Sequence, residues 1–332
     1  MWRKTLLGLG IAGLLVAVRY AAHRESENGL LKVQRPLMGT VWTIEVAGHQ
    51  PEAARKAITA AYTELERIDR MMSEWRPDSP ISAVNAAAGK HPVDVPAELR
   101  EMLERSIHYS EITEGVFDVT WRGMGNIWRF DGAFAPPSPH EVEEARKRIN
   151  YRAIRIEGNR VYIPAGMNIG LGGIAKGYAV DRASQALKKE GFENFLVDGG
   201  GDILVSGTNR GEPWRLGIQD PRAERGRMTG MVKLTAGALV TSGDYERFRI
   251  VNGVRYHHII DPRTGYPANA SMSVSVLARE AEKAVVLAKG IFILGAGKGL
   301  DLARRENVDA LVVDVQGKRH MTEGFARQFE QK

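Results

Sequence analysis

The chain has 332 residues, 43% of them apolar and 26% charged, with a formal net charge of +6 and no cysteine. This is a globular composition, long enough for one large domain or two ordinary ones with a full core, and neither disordered nor fibrous. The missing thiols exclude disulfides, thiolate catalysis, cysteine zinc sites and a lipid-modified N-terminal cysteine; no basic stripe interleaved with aromatics indicates nucleic-acid binding.

Arg3 and Lys4 precede an uncharged, largely apolar run from Thr5 to Val18. A charged start followed by an apolar stretch shorter than the roughly 20 residues of a spanning helix predicts an export signal. Ala21 and Ala22 offer small residues for cleavage; uncleaved, the segment anchors the protein in the membrane. Residues 1–29 are therefore read as an export signal or N-terminal anchor plus a short polar linker, Glu25 to Gly29. The body then works at the periplasmic face of the cytoplasmic membrane.

Val41 to Val46 alternates as a strand does. Pro51 opens an amphipathic helix whose apolar face runs through Ala54, Ile58, Ala61, Leu65, Ile68 and Met72. Pro96 opens another, with Leu99, Met102, Leu103 and Ile107, ended by Gly115. Phe117 to Thr120 is an apolar, strand-like run holding one acid, Asp118, which needs a polar partner or ligand if buried. A Pro-rich loop, Ala133 to Pro139, leads into a charged helix to Ile149. Gly158-Asn159 between Ile154–Ile156 and Val161–Ile163 signals a hairpin. A helix from about Ile174 to Lys189 follows, then short strands from Phe195 to Val276. Helices over about Glu280–Leu294 and Lys298–Glu306 and a strand at Ala310–Val315 close the chain. Helices and antiparallel-looking hairpins in separate blocks predict an α+β fold.

Three stretches can carry chemistry. Asn168 to Asp181, NIGLGGIAKGYAVD, places glycines before a helix with Lys176 in its first turn. Such a loop lets backbone approach a ligand, and a helix N-terminus attracts anions. It has neither Walker nor Rossmann spacing, and packing at a helix entry is the alternative to a phosphate cradle. Asp198 to Asp202, DGGGD, implies a bulge or a ligand wall. Thr241 to Pro267 crowds turns and two histidines around the apolar run Tyr256 to Ile260. Successive strand side chains face opposite sides, so His257 and His258 do not share a pocket: one is packed or solvated, the other free to work.

Taken in order, the motifs resemble the ApbE family of FAD:protein FMN transferases. The likeness runs through Met38-Gly39-Thr40, MSEWRPDSPISAVN (Met72 to Asn85), GVFDVT (Gly115 to Thr120) and GGIAKGYAVD (Gly172 to Asp181). It continues through NFLVDGGGDI (Asn194 to Ile203), TSGDYERF (Thr241 to Phe248), HHIIDPRTGYP and SVSVLA (Ser273 to Ala278). The resemblance implies a single large α+β domain over residues 30–332, ApbE-like (T-fold-like), with mixed sheets, flanking helices and a flavin groove between them. It also implies transfer of FMN from FAD to a Thr or Ser hydroxyl of an extracytoplasmic acceptor protein, with release of AMP. Carried over by motif, the FAD contacts are Met38, Trp75, Val116, Phe117, Asp118, Gly172, Tyr178, Asp181 and Ile260. Lys176 and Lys289 are expected to hold the pyrophosphate, Asp118 to fix flavin or ribose hydroxyls, and His258 to take or relay the proton.

The family's Mg²⁺ site implies the backbone carbonyl of Ala175 plus an Asp and a Thr one turn apart on a later helix. Those last two positions are Val285 and Lys289 here, and Gly170 stands where many members carry Asp. Hard cations want oxygen ligands. Two readings follow: the Lys289 ammonium takes the metal's place, or transfer is lost and the protein is a non-catalytic FAD-binding module of an extracytoplasmic redox system. A third is an FAD pyrophosphatase, with water as acceptor.

Overall fold

The computed structural model describes residues 24–26, 29–48, 50–130, 132 and 134–331. The apolar run from Thr5 to Val18 lies outside these residues; among the described residues no helix is long and apolar enough to cross a membrane.

The chain begins with β1 (Arg24–Ser26), β2 (Leu30–Leu37), β3 (Thr40–Ala47), α1 (Pro51–Met72), α2 (Pro80–Ala86), β4 (Val93–Asp94), α3 (Ala97–Ile112) and α4 (Pro139–Arg146). It continues with β5 (Arg155–Glu157), β6 (Arg160–Tyr162), α5 (Ala175–Lys189), β7 (Phe195–Asp198), β8 (Asp202–Ser206), β9 (Trp214–Gln219), β10 (Met228–Leu234) and β11 (Ala236–Gly243). Then come β12 (Phe248–Val251), β13 (Val254–His257), β14 (Ser271–Ala278), α6 (Ala281–Leu294), α7 (Ala296–Arg305), β15 (Asp309–Asp314), β16 (Arg319–Met321), α8 (Glu323–Gln328) and β17 (Phe329–Gln331).

Nine strands form one sheet whose spatial order follows chain order, β1-β2-β3-β7-β8-β11-β14-β15-β16. Every neighbouring pair is antiparallel. Its longest excursion, residues 48–194, carries α1 to α5. The two-residue period of a strand sorts the side chains between two cores. Val240, Val276 and Ala310, side by side in β11, β14 and β15, join the helical core with α1, α5 and α6. Leu239 and Leu277, paired one residue along, join Trp214, Leu216 and Phe325 under the small sheet β17-β10-β9. The α+β class is as the sequence predicts.

Helix α6 is buried nearly all round, with Val285, Val286, Leu287, Ile291 and Phe292 among its buried residues. This suits a helix enclosed between a sheet and other helices. Each such side chain contributes on the order of 1.5–3 kcal/mol. A regular set of contacts fixes α6 against α5. Asp181 Oδ1 accepts from Ala281 N and Oδ2 from Glu282 N, both at 2.8 Å. One turn back along α5, Gly177 meets α6 so closely that a Cβ would lie 2.5 Å from Ala281 O and 2.7 Å from Val285 Cγ1. One turn further, at Gly173, a Cβ would lie 3.9 Å from Cδ and Cε of Lys289. Four-residue steps on α5 and its entry therefore match four-residue steps on α6.

Four local expectations change. Phe117 to Thr120 is a turn, not a strand. Asp118 Oδ1 accepts from Thr120 N at 2.8 Å and Thr120 Oγ1 at 2.7 Å, and Oδ2 accepts from Tyr151 N at 3.0 Å. Such local bonds compete with a strand ladder. Part of the expected linker pairs as the edge strand β1, with Glu25 opposite Leu31. The strand through Tyr256 ends at His257, short of Ile260, and the charged helix ends at Arg146.

Gly177→Ala should destabilise the protein by about 1–3 kcal/mol, because its neighbours are backbone and a packed valine. Gly297→Ala in α7, where a Cβ meets nothing within 4 Å, should be neutral or stabilising. Denaturant unfolding of both variants checks the pair.

Candidate active site

The glycine-rich loop folds as a 3-10 turn, Leu171–Gly173, that runs directly into α5. Phe117 packs beneath it: a Cβ at Gly173 would lie 3.1 Å from Phe117 Cε2. Val116 and Phe117 are both buried. Lys176 leaves the first turn of α5 and its Nζ lies 3.1 Å from Asp202 Oδ2, in the DGGGD turn. That buried oxygen has no hydrogen-bond partner, so the contact is charge proximity without bonding geometry.

Lys289 reaches the same place from α6. Its side chain keeps some exposed surface, yet protein crowds the ammonium, and burial pulls its pKa down to about 8, with Asp202 opposing and Lys176 reinforcing the shift. Nζ donates to Val285 O at 3.2 Å, which uses one of three donors. Two ammonium groups and the positive end of a helix thus converge beside one carboxylate.

The two histidines separate as strand geometry requires. His257 is buried, with Nε2 2.7 Å from Ala268 O, Nδ1 accepting from Ile259 N at 3.3 Å, and its ring edge-on to Phe292. His258 lies just past the end of β13, where its backbone N–H donates to Arg247 O at 3.1 Å. Its Nδ1 is buried without a partner. Burial, then the nearby His257, Lys289 and Arg247, push its pKa down to about 3. His258 is therefore neutral around pH 7, with Nδ1 unbonded. Met38-Gly39 forms the tip of the β2–β3 hairpin, with φ of 49° and 73°, and a Cβ at Gly39 would lie 4.0 Å from Arg247 Nη2. Lys289 thus lies beside Gly173 and near Asp202, Lys176 and His258, while Arg247 joins His258 to the Met38-Gly39 tip; Gly172 and Ala175 flank Gly173 in the loop that opens α5.

The remaining residues expected at the site lie elsewhere or are already engaged. Trp75 is 73% exposed and stacks under Arg122, whose Cζ is 4.3 Å from the ring centre. Arg122 in turn lines a pocket of about 280 Å³ with Glu74, Asn85, Asn126 and Asn168. Glu74 links that pocket to the loop, its Oε1 3.7 Å from a Cβ at Gly172. Asp118 spends both oxygens on its own turn and on Tyr151. Tyr178 donates its hydroxyl to Glu98. Asp181 caps α6. Ile260 packs with Met124, Trp128 and Val142. For Asp118, Tyr178 and Asp181 the observed partners are structural ones. Asp202, Glu74 and Arg247 had no role assigned from sequence. Each lies in a motif that carries the resemblance: Glu74 in MSEWRPDSPISAVN, Asp202 in NFLVDGGGDI and Arg247 in TSGDYERF.

A Mg²⁺ ion does not fit these residues. Val285 offers buried hydrocarbon and Lys289 an ammonium where oxygen ligands are needed. Among the described residues no group of three or more His, Asp or Glu is arranged to hold a metal.

Burial pushes the Asp181 carboxyl up to about 7, against the two backbone N–H bonds that hold it down. A raised folded-state pKa means that this group's stabilisation is fully present below its unfolded value of about 3.9. That stabilisation is lost as pH rises through about 7. The stability of the protein relative to Asp181→Asn should therefore fall between about pH 4 and about pH 7 in denaturant titrations.

Comparisons with known proteins bear on the family and the fold. The profile described as the ApbE family matches residues 38–312. A Treponema pallidum protein named FAD:protein FMN transferase is 36% identical over 299 residues, 83% of this chain and 82% of that protein. A Vibrio cholerae protein of the same name is 32% identical over 286 residues, 84% of this chain and 85% of that one. The crystal structure of the ApbE protein of Thermotoga maritima superposes with a TM-score of 0.84 at 32% identity, covering 91% of this chain and all (100%) of that one. The flavin transferase ApbE of Vibrio cholerae superposes with a TM-score of 0.81 at 30% identity, covering 90% and 99%.

Proposed function

This chain belongs to the ApbE family, and we infer on that premise that it is an FAD:protein FMN transferase. The observation that carries the reading is the convergence of Lys176 and Lys289 beside Asp202 at the N-terminus of α5, with neutral His258 close to Lys289. A pyrophosphate is the part of FAD that such a cluster of positive charge suits. Phosphoryl transfer depends mainly on positioning and electrostatic stabilisation, which this arrangement can supply.

In the reaction, a Thr or Ser hydroxyl oxygen of the acceptor protein attacks the FMN-side phosphorus. The bond from that phosphorus to the bridging oxygen breaks, and AMP leaves with the bridging oxygen. The hydroxyl proton passes to His258. Burial is the main cause of His258's low pKa; anionic phosphate beside Lys289 and Arg247 offsets the smaller contribution of those charges, which makes the imidazole a better base when FAD is bound. Met38 and Gly172 are assigned to FAD contact, Val116 and Phe117 support the loop from the core, and the exposed face of Trp75 offers a stacking surface for a ring of FAD. Asp118, Tyr178 and Asp181 act through the backbone and side chains that they hold.

Incubation with FAD and an FMN-acceptor domain should yield covalent flavin fluorescence on the acceptor and AMP in equal amount. FAD bound without covalent flavin would indicate a binding module, and free FMN with AMP in the absence of acceptor a pyrophosphatase. His258→Ala should slow transfer by about 10²–10⁴-fold while leaving FAD affinity nearly unchanged.

The acceptor belongs outside the cytoplasm. Support comes from Arg3 and Lys4 ahead of the apolar run Thr5 to Val18. Residues 1–29 fused to a phosphatase reporter that works only outside the cytoplasm should give an active reporter; an inactive, cytosolic fusion would contradict export.

A further inference from the structure

We propose that the Lys289 ammonium occupies the position of the divalent cation in this chain, so that FAD binding and FMN transfer proceed without a metal. The proposal rests on the transferase reading and assigns the source of its positive charge. Three observations meet at this residue.

The first is register. Asp181 fixes the start of α6, Gly177 admits Val285, and Gly173 admits the stem of Lys289. The ammonium is thereby brought under the loop that opens α5, two turns along α6 from Ala281. A tightly enclosed, largely apolar helix leaves it little choice of direction.

The second is donor chemistry. Val285 is 1% exposed and in contact with Gly177, so its position is dry and offers no oxygen. Nearby carboxylates do not compensate. Asp198 Oδ1 accepts from Gly201 N at 2.7 Å, and Asp202 stands between Lys176 and Lys289. A divalent ion would enter a region where two ammonium groups and a helix N-terminus already share the Asp202 carboxylate, and like charges repel strongly where water is scarce.

The third is unused capacity. Lys289 Nζ has one hydrogen bond, to Val285 O, and two further donors. Anionic oxygens of a pyrophosphate satisfy such donors, and a lysine serves phosphate as a point charge.

The test uses the full chain and follows both FAD binding, by flavin fluorescence, and FMN transfer to an acceptor domain. Excess EDTA or added Mg²⁺ should change either one by less than about twofold. Lys289→Met should weaken FAD binding by about tenfold or more, with Lys289→Arg retaining part of it. The double variant Val285→Asp/Lys289→Thr should bind FAD weakly in EDTA and recover about tenfold or more with Mg²⁺. Binding or transfer by the unaltered protein that collapses in EDTA and returns with Mg²⁺ would overturn the proposal. So would unchanged FAD affinity in a folded Lys289→Met. Metal-independent FAD binding with no transfer to any acceptor would count against the transferase reading, and would still support the cation exchange.

Discussion

The carboxylate of Asp181 holds the first two backbone amides of α6, and the arrangement of the site follows from that attachment. A helix start has unsatisfied N–H groups that need partners. Here the partner comes from a neighbouring helix, so satisfying the helix end also sets one helix against the other. Glu282, the second amide's own residue, is held in turn by Arg105, with Nε and Nη2 at 2.8 and 3.1 Å from its oxygens. From this fixed start, Gly177 allows the two helices to touch and Lys289 arrives under the loop at Gly173. A shift of one residue in α6 would rotate Lys289 by about 100° and remove it from the groove.

The charges around the groove explain one another. Burial, reinforced by His257, Lys289 and Arg247, keeps His258 neutral, and Asp202 helps to keep Lys289 charged despite its burial. The result is positive charge beside an uncharged acceptor of protons. An anionic substrate relieves the crowding of like charges, while an additional metal ion would increase it. The same charges therefore favour FAD and disfavour Mg²⁺.

The fold class and most helices were legible because their signals are local and periodic. α1 begins at Pro51 and ends at Met72, as its apolar stripe requires. α5 and α6 likewise follow their patterns. The family was legible through the order of short motifs. What the residue pattern could not carry was side-chain bonding across distant elements. Asp181 and Tyr178 sit within a recognisable motif, yet their partners are Ala281 and Glu98, 100 and 80 residues away. Asp118 looked like an acid in a strand because its neighbours are apolar; its bonds to Thr120 and Tyr151 make a turn instead. The edge strand β1 carries no alternating apolar signal at all, and only pairing with β2 defines it.

Crystals of the protein with FAD, grown in Mn²⁺ and measured for anomalous scattering, test the central claim most directly. The account predicts Lys289 Nζ within about 3 Å of a pyrophosphate oxygen, with no manganese peak beside the Ala175 carbonyl. A manganese ion bridging that carbonyl and the pyrophosphate, with Lys289 turned away, would contradict it.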